Sequence, residues 1–469
     1  MFNLRAMPLL GAMSILAASL PALAHAELVP VVQHGKWGYV NGTGQFVVEP
    51  MFTHAEPFSE GLALVQVGDK YGYIDSTGRV VVEPKFDSAA TMWNGLARVN
   101  IGGKKDAFGL VTGGRWGYID PSGDYAIEPR FSDAGSFCNG LAPVKSTDLW
   151  GYIDQEGNFA IEPRYDGAAD FCAEVAQVKV GSQWGYIDRQ GTYAVEPQFD
   201  RVFPFQNGIA RVVRDRKWGY IDHTGRTVSE PQFDQADPRF TEQLARVAVG
   251  NKWGYIDVTG KLLVEPQFEQ ASQFASGLAA VKVGRVWGYI DRTGQVVVQP
   301  RFERAEIFHE GFAPVKSGGR WGYINKAGKQ VIAARFTKAL NFHGGRARVK
   351  TGGKKTRHGL VLGGKWGFID PTGKAIVGMQ FDNYEAQDFS EGLAAVKVAD
   401  RWGYIDAQGN YVIRPKYSHA ASFVQGQAQV WLGKQVGYID KTGKVVVKLQ
   451  PGTSPLTPLN VVSIQELSD

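Results

Sequence analysis

Seven glutamates stand directly before proline or its equivalent position at a near-constant interval: Glu49, Glu83, Glu128, Glu162, Glu196, Glu230 and Glu265. Two carboxylates held roughly 5 to 9 Å apart, one with a raised pKa, hydrolyse glycosidic bonds, and a regular row offers such pairs. Acid and base roles nevertheless need unequal environments, which equivalent positions in a repeat do not supply. An envelope glycoside hydrolase using this Glu-Pro row is therefore the alternative reading, and strand-end glutamates paired with nearby cations the simpler one. Ten tryptophans recur in the same way, at Trp37, Trp116, Trp150, Trp184, Trp218, Trp253, Trp287, Trp321, Trp366 and Trp402. An indole face covers a sugar ring well, but a side chain required in nearly every copy is expected first as a structural ladder between repeats. Residues 102–115 (GGKKDAFGLVTGGR) and 352–365 (GGKKTRHGLVLGGK) agree at nine of fourteen positions. Duplication of a block of repeats accounts for that, yet Lys104, Lys105, Lys354 and Lys355 lie on glycine-flanked loops, where ligand-binding residues often sit, and are the candidate ligand contacts.

Other chemistry finds no support in the spacing. The stretch 352–356 lacks the spacing and the helix of a phosphate-binding loop, and no Gly-x-Ser-x-Gly elbow occurs. The histidines from His34 to His419 do not fall at metal-ligand intervals, so neither a metal nor another cofactor is expected.

The tetrapeptide Trp-Gly-Tyr-Ile, or a close variant, begins at positions 37, 71, 116, 150, 184, 218, 253, 287, 321, 366, 402 and 436, twelve copies with a basic period of 34. Two spacings stretch to 45 and contain the two lysine segments. A single copy from Gly61 to Phe86 reads as three short strands joined by tight turns. Apolar residues alternate with period 2, which excludes helical solenoids. The Asp-x-x-Gly that follows the aromatic strand in ten copies, as at Asp120 to Gly123, with Asn41 and Asn325 in the other two, predicts a turn closed by a left-handed glycine rather than a calcium loop. The glycine between Trp and Tyr predicts close approach of another backbone or ring.

Lys36-Trp37-Gly38-Tyr39, Lys217-Trp218-Gly219-Tyr220-Ile221-Asp222 and the recurring Gly-Leu-Ala-x-Val resemble the bacterial WG repeat family over about residues 30 to 448. The resemblance implies a binding or scaffolding role without a general enzymatic activity, and leaves the ligand open. Departures occur at Tyr71 and Val436 for Trp, at Phe368 for Tyr, and at Ala333-Ala334 and Gly378-Met379 for Glu-Pro.

The fold expected is all-β: a tandem array of about twelve three-stranded repeats in an open solenoid or superhelix, with one or two β-propellers as the alternative. Residues 1–26 read as a signal peptide, with Arg5, an apolar run and Ala24-His25-Ala26; residues 27–448 form the array and 449–469 a Pro/Ser/Thr-rich tail or cap. The mature chain is expected to lack a membrane span and to be periplasmic, or else secreted. Fifty-one cationic against 46 acidic side chains give +5, so composition does not point to nucleic acid. Cys138 and Cys172 are 34 residues apart in consecutive copies and, in an oxidising compartment, are expected to bridge if the copies stack closely; splayed propeller blades would hold them apart. The function expected is noncatalytic binding in the bacterial cell envelope, with a protein or a cell-wall glycan as partner.

Overall fold

The computed structural model describes residues 28–448, except 34, 42–44, 107–109, 172–173, 356–360, 383–384 and 434, together with 454–455. The signal-peptide segment and most of the tail thus lie outside the described residues. Every regular element within them is a strand, and no helix is long and apolar enough to cross a membrane.

Twelve antiparallel sheets follow one another along the chain, one for each Trp-Gly position, and are numbered here as blades 1 to 12. Blade 2 shows the unit: a short strand His54–Ala55, a first strand Leu62–Val67, an aromatic strand Lys70–Asp75 and a last strand Val80–Phe86, hydrogen-bonded in that order. The unit therefore has four strands rather than the three expected. The extra one is two residues long, too short for period-2 alternation to register.

The Trp-Gly and Glu-Pro motifs meet in a bulge. In blade 3, Trp116 pairs with Phe131 and Tyr118 with Ile127, so the last strand spends four residues where the aromatic strand spends two. The bulged Glu128-Pro129 presses onto Gly117, where an added Cβ would lie 2.5 Å from the Ile127 carbonyl oxygen and 2.6 Å from the Pro129 nitrogen. Close backbone approach thus requires this glycine, and proline, lacking an N–H, fits a bulged position outside the ladder.

Hydrophobic cores lie between blades. Tyr118, Ile127, Phe131 and Phe137 pack against Val144 and Ile153 of blade 4, and the same set recurs from blade to blade. The tyrosine is the most deeply buried large side chain of the unit, and its hydroxyl donates to a carbonyl 17 residues on: Tyr118 to Gly135 at 2.8 Å, Tyr255 to Ser272 at 2.7 Å, Tyr289 to Glu306 at 2.8 Å. Burial raises these phenols well above their ordinary range.

Of the two expected arrangements the structure adopts the ring: a twelve-bladed β-propeller. Tyr438 and Val436 of blade 12 pack on Val31 and Val40 of blade 1, repeating the core found between other neighbours. Ser454 and Pro455 then pair with Val32 and Val31. That register matches His54 and Ala55 opposite Gln66 and Val65, so the tail supplies the short strand that blade 1 would otherwise lack.

Candidate functional site

Antiparallel order places the two kinds of loop at opposite ends of every blade. Hairpins between the first and aromatic strands, and the links into the next blade, lie at one end; the turns before the first strand and the Asp-x-x-Gly turns lie at the other.

The Asp-x-x-Gly turns are held by their own aspartates. Asp75 Oδ1 accepts from the Thr77 amide at 2.9 Å, the Thr77 hydroxyl at 2.6 Å and the Arg79 amide at 3.1 Å, while Gly78 takes φ 86°. The hydroxyl bond leads in pulling the Asp75 carboxyl down to about 2, and Asp120, Asp291, Asp370 and Asp440 shift downward with the same leading cause. Among the described residues no three His, Cys, Asp or Glu side chains group as metal ligands. Carboxylates with depressed folded pKa values stabilise the ring above the unfolded value of about 4 and cease to do so as they protonate. Thermal melts should therefore show the melting temperature falling between about pH 4 and pH 2; a constant value across that window would refute this role for the turns.

The turns before the first strands clasp neighbouring blades. Glu60, at φ 51°, accepts from the Asn94 and Gly95 amides of blade 3 at 2.8 and 2.9 Å, and Glu310 does the same to Gly344 and Gly345 at 2.8 Å each. Asn139 Nδ2 donates to the Phe171 carbonyl at 2.9 Å, and the His309 and His343 rings, at the position equivalent to the cysteines, lie 4.5 Å apart with their planes tilted by 41°. Cys138 is disulfide-bonded, and the chain's only other cysteine is Cys172, which lies outside the described residues. The expectation that propeller blades would hold these cysteines apart is thus corrected: neighbouring blades touch directly at these turns.

A cleft of about 590 Å³ opens at this end between blades 5 and 6, lined in part by Glu174, Asp188, Arg189 and His223. Asp188 Oδ1 there already accepts the Gln190 and Thr192 amides at 3.0 and 2.8 Å. The Glu-Pro glutamates are elsewhere, exposed on the bulges, and Glu230 pairs with Arg214 at 2.9 Å.

At the hairpin end the indoles flank the cores. Only Trp321 and Trp402 are buried, and the other eight are half-buried. Five of those eight are covered by a cation from the first strand of their own blade: Arg98 over Trp116, Lys179 over Trp184, Arg211 over Trp218, Arg246 over Trp253 and Arg348 over Trp366, at 4.7 to 6.0 Å from the ring centre. Arg246 also chelates Asp237 at 2.8 and 2.9 Å and reaches the Ala271 carbonyl of blade 8 at 2.7 Å. Such arginines tie blades together and occupy the indole face. Trp37 meets His54 edge-on. Trp150 and Trp287 stay uncovered by ring or cation among the described residues; in their blades Pro143 and Ala280 stand where Arg98, Arg211, Arg246 and Arg348 stand in others. Reading the Gly-Leu-Ala-x-Val motif at its variable position would have revealed this difference.

The lysine segments extend the hairpins of blades 3 and 10. In blade 3, Ala97–Lys105 and Val111–Ile119 form a nine-residue-per-strand ribbon; Lys104 is exposed, and Lys105 lies 5.5 Å from the Tyr71 ring centre and 3.9 Å from Asp69. In blade 10, Lys354 and Lys355 pair with Leu362 and Val361. Both pairs therefore share one end of the ring, separated by six blades (4 to 9) in one direction and by four (11, 12, 1 and 2) in the other.

Eleven stretches match the model of the WG containing repeat: 37–71, 71–104, 116–149, 150–183, 184–218, 218–253, 253–285, 287–321, 321–354, 366–402 and 402–430. No curated protein matches the chain. Among solved structures, a eukaryotic initiation factor is 12% identical, with 76% of this chain and 96% of that one covered, at a TM-score of 0.27. The extracellular domain of a putative hybrid two component system from B. thetaiotaomicron is 8% identical over 91% of this chain and 71% of its own, at 0.24.

Proposed function

This chain belongs to the WG containing repeat family, and we propose that it serves as a noncatalytic binding scaffold of the bacterial cell envelope, exported by its N-terminal segment and recognising a protein or a cell-wall glycan. The observation that carries the reading is the hairpin end of the ring, where the uncovered Trp150 and Trp287 stand among hairpins bearing exposed lysines and arginines. Aromatic faces and cations repeated on a rigid scaffold suit recognition of an extended partner. Equivalence of the Glu-Pro glutamates supports a noncatalytic role, because nothing in a bulge repeated from blade to blade sets one carboxylate apart as acid and another as base.

Capture on isolated peptidoglycan sacculi and from envelope protein extracts tests the proposal. Trp150→Ala with Trp287→Ala, and separately charge reversal at Lys104, Lys105, Lys354 and Lys355, should each cut capture several-fold at a temperature where the variant is still fully folded. Full capture by both folded variants would place recognition away from the hairpin end, and release of reducing sugar from sacculi would replace the proposal with the hydrolase.

A further inference from the structure

The near-neutral composition conceals two ends of opposite charge. Counting from the residue opposite each Trp position to the residue before it, the described hairpin residues include 21 Lys or Arg and five Asp. Seven blades add one acid each in the link to the next blade, as when Asp87 accepts the Gly102 amide at 2.8 Å and Asp234 the Gly250 amide at 2.7 Å. At the opposite end, the described residues of both sets of turns include 22 Asp or Glu against 11 Lys or Arg. The weak basic bias of the whole chain is thus a poor guide to its surface.

The positive charge is also unevenly spread around the hairpin end. Blades 8 to 11, four in succession, hold ten of the 21 hairpin cations, whereas blades 4, 5 and 7 hold one each. In that sector Lys316, Lys365 and Lys397 are paired with Glu303, Asp382 and Asp400 at 3.7, 2.7 and 3.0 Å, and Lys350 is buried against Trp366. Arg285, Arg320 and Arg401 are exposed and make no ion pair among the described residues. They occupy blades 8, 9 and 11 beside the Trp strands, and the first of these blades carries the uncovered Trp287.

We infer that the hairpin end of blades 8 to 11 is a track for an anionic polysaccharide. The inference rests on the glycan branch of the proposed function and names its chemical class. An arc of cations on consecutive blades fits a linear polyanion better than a planar bilayer, which would meet the whole ring. Guanidinium groups pair with carboxylate or phosphate groups along such a chain, and an open indole face adds stacking on its sugar rings. An acidic peptide shares the charge but not the sugar faces.

Binding of the full-length protein to polygalacturonate, measured by calorimetry over a salt series, tests the track, with neutral dextran, polyglutamate and phosphatidylglycerol vesicles as the other probes. Affinity for polygalacturonate should fall linearly with salt on logarithmic axes and exceed that for dextran by at least about tenfold. Combined Arg285→Glu, Arg320→Glu and Arg401→Glu should lower it about tenfold or more and reduce the salt slope, and Trp287→Ala should weaken polygalacturonate but not polyglutamate. Equal affinity for polyglutamate or the vesicles, with no effect of Trp287→Ala, would overturn the inference in favour of a peptide or lipid partner. Binding of dextran as tight as that of polygalacturonate would overturn the anionic track while leaving glycan recognition standing. No binding of any probe by the folded protein would overturn the track, with sacculus and extract capture still deciding the broader proposal. Circular dichroism melts of each variant show that it folds.

Discussion

Tyr289→Ala should destabilise the ring by about 3 to 5 kcal/mol, against about 1 to 2.5 kcal/mol for Trp287→Ala two residues earlier. The tyrosine is wholly buried between blades 8 and 9, in a core with Val298, Phe302, Phe308, Val315 and Ile324, and its ring meets Phe308 edge-on at 4.9 Å. Truncation removes that packing and leaves the Glu306 carbonyl without the hydroxyl that bonds it at 2.8 Å. The indole is half-buried and has no ring or cation partner among the described residues, so its removal sacrifices only part of its apolar surface. Denaturant unfolding of the full-length variants compares the two directly. Equal losses would mean that the indole, rather than the phenol, carries the core of the unit.

Cys138→Ser should cost about 3 to 4 kcal/mol, since a bridge between residues 34 apart restricts the unfolded chain by about that amount on the chain-entropy model. The loss should be confined to oxidised protein and vanish when both forms are compared under reducing conditions. Alkylation of the denatured, unreduced wild type followed by intact mass measurement checks the premise. Two labelled thiols would remove it, and a Cys138→Ser variant as stable as the oxidised wild type would show that the clasps of the same turns hold these blades without help.

Most of the blade was legible because its signals are local. Trp-Gly-Tyr-Ile marked the aromatic strand, Asp-x-x-Gly its closing turn, and the lone glycine a close backbone approach, which proved to be the bulge at Glu-Pro. Ring closure was not legible: the small rotation from each blade to the next is set by interblade packing, and the sequence period is the same for a solenoid and a propeller. Nor was the choice between Tyr and Trp as the deepest side chain. Both alternate onto one face of the strand, and only the neighbouring blade decides that Tyr118 lies within the core while Trp116 borders it under Arg98. The charge asymmetry is invisible in the composition of the chain, because only the fold sorts hairpins from turns. The uncovered indoles escaped because the residues that distinguish them, Pro143 and Ala280, lie in a different strand.

The pairing of Ser454 and Pro455 with Val32 and Val31 also has a temporal meaning. During synthesis, blade 1 emerges first yet lacks a strand until more than 420 residues have followed. Blades 2 to 10 can each complete their sheets as they appear, but the ring can lock only when its last-made part reaches its first-made part. Until then the Val31 edge and the Val436 face are both exposed, apolar and mutually complementary within one chain, so a second chain arriving early competes for the same seam. Exchange of closing segments between molecules, giving linked dimers, is therefore the characteristic error to which this architecture is open.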